Sequence, residues 1–176
     1  VSYDTITGRV ETKATAQGAA AESVWARGQS WGLYGYTMMY RETGLKRYLD
    51  HAVSIADFLI SHPNLPDDKI PYWDYLAPEI PNAKRDASAG AIMASALIEL
   101  SGIVGGERGN RYLKVAEIQL RSLASPAYRA RLGENGNFIL MHSVGSIPNN
   151  SEVDVPLTYA DYYFIEAMMR FRKIIQ

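Results

Sequence analysis

Arg27 is the one charged side chain in the segment WARGQSWGLYGYTMMY, residues 25–40. A guanidinium taken out of water is costly unless an anion meets it. Two kinds of partner would do: a structural carboxylate, or the acid group of a ligand. The planar fork of N–H donors matches a carboxylate through two parallel hydrogen bonds. Trp31 follows four residues later, on the same helix face, and an indole can cover the apolar face of a sugar ring. Together the pair describes a site for an acidic sugar. The other reading pairs Arg27 with an internal Asp or Glu and packs Trp31 into the core.

Further candidates are fewer. His142, in MHSVGSIPNNS, lies in a glycine-bearing loop after a short predicted strand, a place suited to a ligand contact or to a plain loop histidine. His51 reads as a solvated position and His62, before Pro63, as a helix end. None of the three histidines has metal-ligand spacing. Asp74 and Asp86 flank a Trp/Pro-rich loop as acids or caps, with Asp86 favoured as an N-cap. Gly28 and Gly32 form a GxxxG that suits close helix contact. No nucleophile–base triad, phosphate loop or zinc pattern occurs.

The chain that must position these residues has 176 of them, enough for a single domain over residues 1–176 with a real core. With 47% hydrophobic and 21% charged residues it is ordinary in composition. A net charge of -1 gives no electrostatic case for nucleic acid or an anionic membrane. No apolar run reaches the ~18 to 20 residues of a membrane span. The absence of cysteine excludes disulfides and thiolate chemistry and leaves the compartment open. The 12 tyrosines and three tryptophans suit half-polar ligands as well as amphipathic packing.

Hydrophobic periodicity predicts five helices. Residues 1–16 read as a short β excursion or loop turning at Asp4–Gly8. A mostly apolar helix follows from Ser23 to Glu42, stopped by Thr43-Gly44. Leu45–His62 is amphipathic, with Leu49, Ala52, Val53, Ala56 and Leu59 on one side. Five of the eight prolines then lie between residues 63 and 81, which predicts a long ordered loop. Asp86–Gly102 is apolar nearly all round, Arg111–Leu123 amphipathic, and Thr158–Ile175 mostly apolar. Phe138–Met141 is a short strand candidate. Helices that are apolar all round must be enclosed, and amphipathic ones cover them. The alternation predicts hairpins in two layers, with three inner helices whose starts (ARGQSWG, KRDASAG, YADYYFI) gather at one mouth. Such ends favour an anionic ligand.

Three stretches, QGAAAESVWARGQSWGLYGY, PYWDYLAPEIPNAKRDASAGAI and HSVGSIPNNSEVDVPLTYADYYFIEAMMRF, resemble the unsaturated glucuronyl hydrolases of glycoside hydrolase family 88. The resemblance runs through nearly the whole chain, with its motifs in order. It implies an all-α fold, helical hairpins of an (α/α)6 barrel. It also implies removal of a 4,5-unsaturated uronic acid from the non-reducing end of an oligosaccharide by hydration of its enol ether. That differs from displacement between two carboxylates. The resemblance further implies that an aspartic acid protonates C4 while water adds at C5, that the resulting hemiketal opens, and that no metal or organic cofactor takes part. Residue by residue, Arg27 and Trp31 match the family's RGQ-x-W motif at the unsaturated sugar, and Gln17 matches a glutamine that contacts it. His142 is a candidate near the pocket mouth.

The family's catalytic aspartates lie in an N-terminal half whose inner helices have no counterpart here, and Asp74, Asp86 and Asp161 do not match them. The resemblance therefore implies a C-terminal half, a partial ring that binds an unsaturated uronide oligosaccharide without the catalytic acid. Its unmatched flanks would meet the remaining half or a second copy of this chain. A related hydrolase of unsaturated galacturonyl ends and a non-catalytic helical-repeat binding module are the alternatives.

Overall fold

The computed structural model describes residues 1–176. Five helices carry the fold: α1 Ala26–Thr43, α2 Lys46–Ser61, α3 Ala87–Val104, α4 Gly106–Ala124 and α5 Thr158–Ile175. Two antiparallel hairpins decorate them, β1 Ser2–Tyr3 with β2 Val10–Thr12, and β3 Ser143–Ser146 with β4 Ser151–Val155. Helix α3 is the axis of the core, packing against α1, α4 and α5, while α2 covers α1. The inner layer is thus α1, α3 and α5, and the outer layer is α2 and α4, the hairpin alternation expected from hydrophobic periodicity.

Local chemistry explains the element ends. Gly44 stops α1 at φ 67° and returns its N–H to the Tyr40 carbonyl, a left-handed cap that a Cβ would strain. Asp86 caps α3 by accepting the Ser88 N–H at 3.0 Å. Gly105 and Gly106, at φ 64° and 57°, join α3 to α4 without a loop. That tight link starts α4 at Gly106, more than a turn before the Arg111 that periodicity alone indicated. The proline-rich connection contains no helix; Trp73 N–H reaches the Lys84 carbonyl and Ala26 N–H reaches the Trp73 carbonyl, so it is ordered by bridges.

Three expectations need correction. First, Phe138–Met141 is not a strand. It makes one isolated antiparallel bridge, Leu140 opposite Arg129, with Ala130 N–H donating to the Ile139 carbonyl and Met141 N–H to the Tyr128 carbonyl, while the N–H groups of Ile139 and Leu140 donate at 2.8 Å to the Asp161 carboxylate. The strands form later, at β3 and β4. Secondly, α3 is 18 residues long and apolar enough to satisfy the length and composition of a membrane span, although 78% of it is buried inside this fold. Thirdly, only α3 is enclosed all round. Helix α1 buries a stripe of Ala26, Arg27, Ser30, Leu33 and Thr37, and α5 buries Ala160, Phe164 and Ala167. As the two edges of the inner layer they have α3 on one side only, so Tyr36, Met38, Ile165 and Met169 remain exposed.

The α3–α4 crossing depends on one glycine. A Cβ at Gly109 would sit 2.5 Å from the Ser101 carbonyl oxygen, a backbone atom that cannot swing aside. Replacing a helix-interior glycine by alanine gains up to ~1 kcal/mol in propensity, but overpacking a rigid contact costs about 1–3 kcal/mol. Gly109→Ala is expected to lower the denaturation midpoint, whereas Gly102→Ala, with open space at its Cβ, is expected to raise it.

Candidate functional site

The starts of α1, α3 and α5 meet at one end of the inner layer. Arg27, from the first turn of α1, is only 3% exposed. Its Nη1 lies 3.3 Å from Asp86 Oδ2 and also donates to the Val144 carbonyl, while Nη2 donates to the Gly145 carbonyl at 2.5 Å. The Trp25 and Tyr159 rings approach its Cζ to 4.8 and 5.4 Å. Within this chain the counter-charge of the guanidinium is Asp86, because a cation with this little contact with water takes an internal anion. Burial pushes the Asp86 carboxyl up from its ordinary pKa, with Arg27 the leading opposing influence and Ser88 the next.

Gln17 joins the same cluster. Its Nε2 donates to the Gly145 carbonyl at 3.0 Å, so Gln17 and Arg27 converge on one backbone oxygen. The loop carrying Gln17 is organised by Asp74, fully buried, which accepts from Ala19 N–H, Ser23 Oγ and Val24 N–H, and also from Leu76 N–H. Trp31 is half-buried. Its ring makes a T-shaped contact with Tyr163 at 5.0 Å and a tilted one with Tyr159 at 6.4 Å. These aromatics form a wall beside Arg27, of the kind that takes a sugar face.

His142 stands apart from that wall. Its backbone is at φ 63°, and its ring Nδ1 lies 2.7 Å from Asp154 Oδ1 on the neighbouring strand. Lys84 Nζ bonds the other oxygen of Asp154 at 2.8 Å. Gln17, Arg27 and Trp31 are thus brought to one place, and His142 belongs to the outer edge of the β3–β4 hairpin. Two groups in the site escaped sequence reading. Tyr159 was legible in YADYYFI only as one of several aromatics at helical spacing. Glu152 lies in β4 at φ 53° and bends back until its carboxylate is 2.6 Å from where a Gly145 Cβ would stand.

Deeper along the inner helices the polar contacts recur. Glu166 accepts from Tyr34 Oη at 3.1 Å and from Ser95 Oγ, and Arg170 pairs with Glu99, which also pairs with Arg41. Burial, then the Glu166 charge, pushes the Tyr34 hydroxyl up to about 12. No group of three or more His, Asp or Glu is placed to hold a metal. A concavity of about 610 Å³ lies along Pro126–Ile139 and includes none of Gln17, Arg27, Trp31 or His142.

Layered antiparallel hairpins whose inner-helix starts carry an aromatic wall define part of an (α/α)6 barrel, the six-hairpin glycosidase architecture. Within that class the chain is homologous, along nearly its whole length, to the unsaturated glucuronyl hydrolases of glycoside hydrolase family 88. It is 49% identical over 175 residues to the unsaturated glucuronyl hydrolase of Formosa agariphila, covering 99% of this chain and 43% of that protein. A solved unsaturated glucuronyl hydrolase specific for heparin superposes with a TM-score of 0.95 at 51% identity, covering 99% of this chain and 47% of the other. A second solved relative, from Streptococcus agalactiae and complexed with dGlcA-GalNAc6S, gives a TM-score of 0.82 at 30% identity over 96% of this chain and 45% of its own. No family model matches the chain. It spans about half the length of the curated relatives it matches.

The hairpin edge carries a pH-sensitive contact. Asp154 is held below its ordinary carboxyl pKa, first by Lys84 and then, against some burial, by His142. A depressed folded-state pKa contributes stability above the unfolded value, near 3.9, and loses it as pH falls through the folded value. Amide protection of β4 is expected to fall below roughly pH 4, and Asp154→Asn to remove that acid dependence while lowering protection at neutral pH. Hydrogen exchange followed by mass spectrometry reads both.

Proposed function

We propose that this chain forms the sugar-binding portion of a glycosidase that removes 4,5-unsaturated glucuronic acid from the non-reducing end of lyase-generated oligosaccharides. The observation that carries this reading is homology across 99% of the chain to an unsaturated glucuronyl hydrolase. The complex of a solved relative with an unsaturated disaccharide supports the same substrate class. Trp31, with Tyr159 and Tyr163 beside it, supplies the face on which the unsaturated ring stacks. Gln17 borders that face and Arg27 sets its floor. His142 contributes through the hairpin edge that it shares with Asp154.

The reaction adds water across the enol ether. A proton goes to C4 and hydroxide to C5; the hemiketal then opens, releasing the sugar that follows and leaving a keto acid. Such a step needs a carboxyl kept protonated near neutral pH. Asp74 and Asp161 are saturated by backbone donors and Asp86 by Arg27 and Ser88. We therefore assign the general acid to the portion of the enzyme outside this chain, and assign the exposed apolar flanks of α1 and α5 to contact with the remaining hairpins of the ring.

An unsaturated glucuronyl disaccharide tests this reading. An enzyme containing this chain is expected to abolish the ultraviolet absorbance of the double bond, while the chain by itself binds without turnover. Trp31→Ala is expected to weaken binding at least tenfold, equivalent to ~1.4 kcal/mol, at a temperature where the variant remains folded by circular dichroism. Turnover by the isolated chain would refute the assignment of the acid, and preference for an unsaturated galacturonyl disaccharide would refute the sugar.

A further inference from the structure

We infer that Asp86 is a positioning residue: acting through Arg27, it seats the β3–β4 hairpin and so shapes the sugar-binding face without touching the sugar. The inference rests on the site proposed above for its link to binding, and on geometry alone for the seating. A helix N-cap needs one carboxylate oxygen on one backbone N–H, and Asp86 Oδ1 supplies that to Ser88. Its contacts exceed that need. Oδ1 also faces Val144 N–H at 3.4 Å, and Oδ2 meets the Arg27 guanidinium. The same guanidinium then bonds the carbonyls of Val144 and Gly145.

Those two carbonyls belong to consecutive residues, which in a regular strand point to opposite edges. Here both reach one side chain, next to an irregularity in the β3–β4 register between Ser143 and Val144. The hairpin's backbone has adapted to Arg27. All four residues of β3 are buried, whereas β4 is mostly exposed. The remaining ties to the body are Ala87 N–H to the His142 carbonyl, Gln17 to Gly145, Asn149 to the Ala16 carbonyl, the partly exposed Lys84–Asp154 pair, and the Val144 side chain in a small cluster with Tyr72, Trp73, Ala77 and Ala83. If the hairpin lifted away, the guanidinium would lose two acceptors inside a buried pocket, so hairpin seating and the ion pair stand or fall together. The hairpin in turn holds Glu152 beside Gly145, and Arg27 lies against the Tyr159 ring of the aromatic wall. A shift of the hairpin therefore reshapes the surface offered to a ligand.

The test compares Asp86→Asn and Arg27→Lys with the unaltered chain. Asparagine keeps the cap of α3 and removes the charge; lysine keeps the charge and lacks the fork that spans two carbonyls. Both are expected to speed amide exchange at Val144–Ser146 at least tenfold while exchange in the middle of α3 is unchanged. Both are also expected to raise the dissociation constant for an unsaturated glucuronyl disaccharide at least tenfold. Unchanged protection of the hairpin overturns the inference, as does a loosened hairpin with undiminished affinity. Should Asp86→Asn fail to fold, Arg27→Lys decides alone. Should the unaltered chain bind no disaccharide while the hairpin still loosens, the proposed substrate falls and the seating role stands.

Discussion

One buried charge governs the arrangement of this protein's binding end. Arg27 enters the core at the start of α1 and brings a guanidinium out of water. The surrounding structure therefore has to supply an anion and acceptors in fixed positions. Asp86 at the start of α3 is the anion, and the carbonyls of Val144 and Gly145 are the acceptors. Three segments far apart in the chain are thereby tied to a single group. A buried pair of this kind adds little net stability, since desolvation offsets the attraction, yet losing one partner costs about 3–5 kcal/mol. Its consequence is geometric: it admits one arrangement of α1, α3 and the hairpin.

The other carboxylates of the chain act in the same spirit. Asp74 gathers four donors from the loop before α1 and from its own turn, and Asp161 anchors the loop that precedes β3. Farther from the mouth, Glu166 and Glu99 bridge α1, α3 and α5 through Tyr34, Ser95, Arg41 and Arg170. These contacts keep the inner helices side by side and pointing the same way, which holds Arg27, Asp86 and Tyr159 together at the mouth. Acid groups here organise backbone and helices, beside a cluster of aromatic rings from Trp31, Tyr159 and Tyr163.

The edges of the inner layer carry a different message. Ile165, Met168 and Met169 on α5 and Met38 on α1 are exposed, and Tyr36 is covered only in part by the Tyr48 and His51 rings of α2. Apolar surface on both flanks of one layer is the signature of a ring section whose neighbours lie on either side. The relatives that this chain matches over about half their length share that architecture.

Periodicity in the sequence was enough to determine five helices, their pairing into hairpins and the two-layer arrangement, because helical spacing of apolar residues reports burial directly. The caps at Gly44 and Asp86 were legible for the same local reason. The RGQSW segment announced that a buried guanidinium needed a partner. Its identity lay 59 residues away, as Asp86, and no spacing rule links the two. Tertiary structure alone decided that Arg27 faces inward, that His142 serves the hairpin edge, and that residues 138–141 make a single bridge to Arg129 while Asp161 takes two of their N–H groups. Each of those outcomes is a choice among long-range partners for one polar group. Which partner comes within reach depends on how the helices pack, and local sequence carries no record of that.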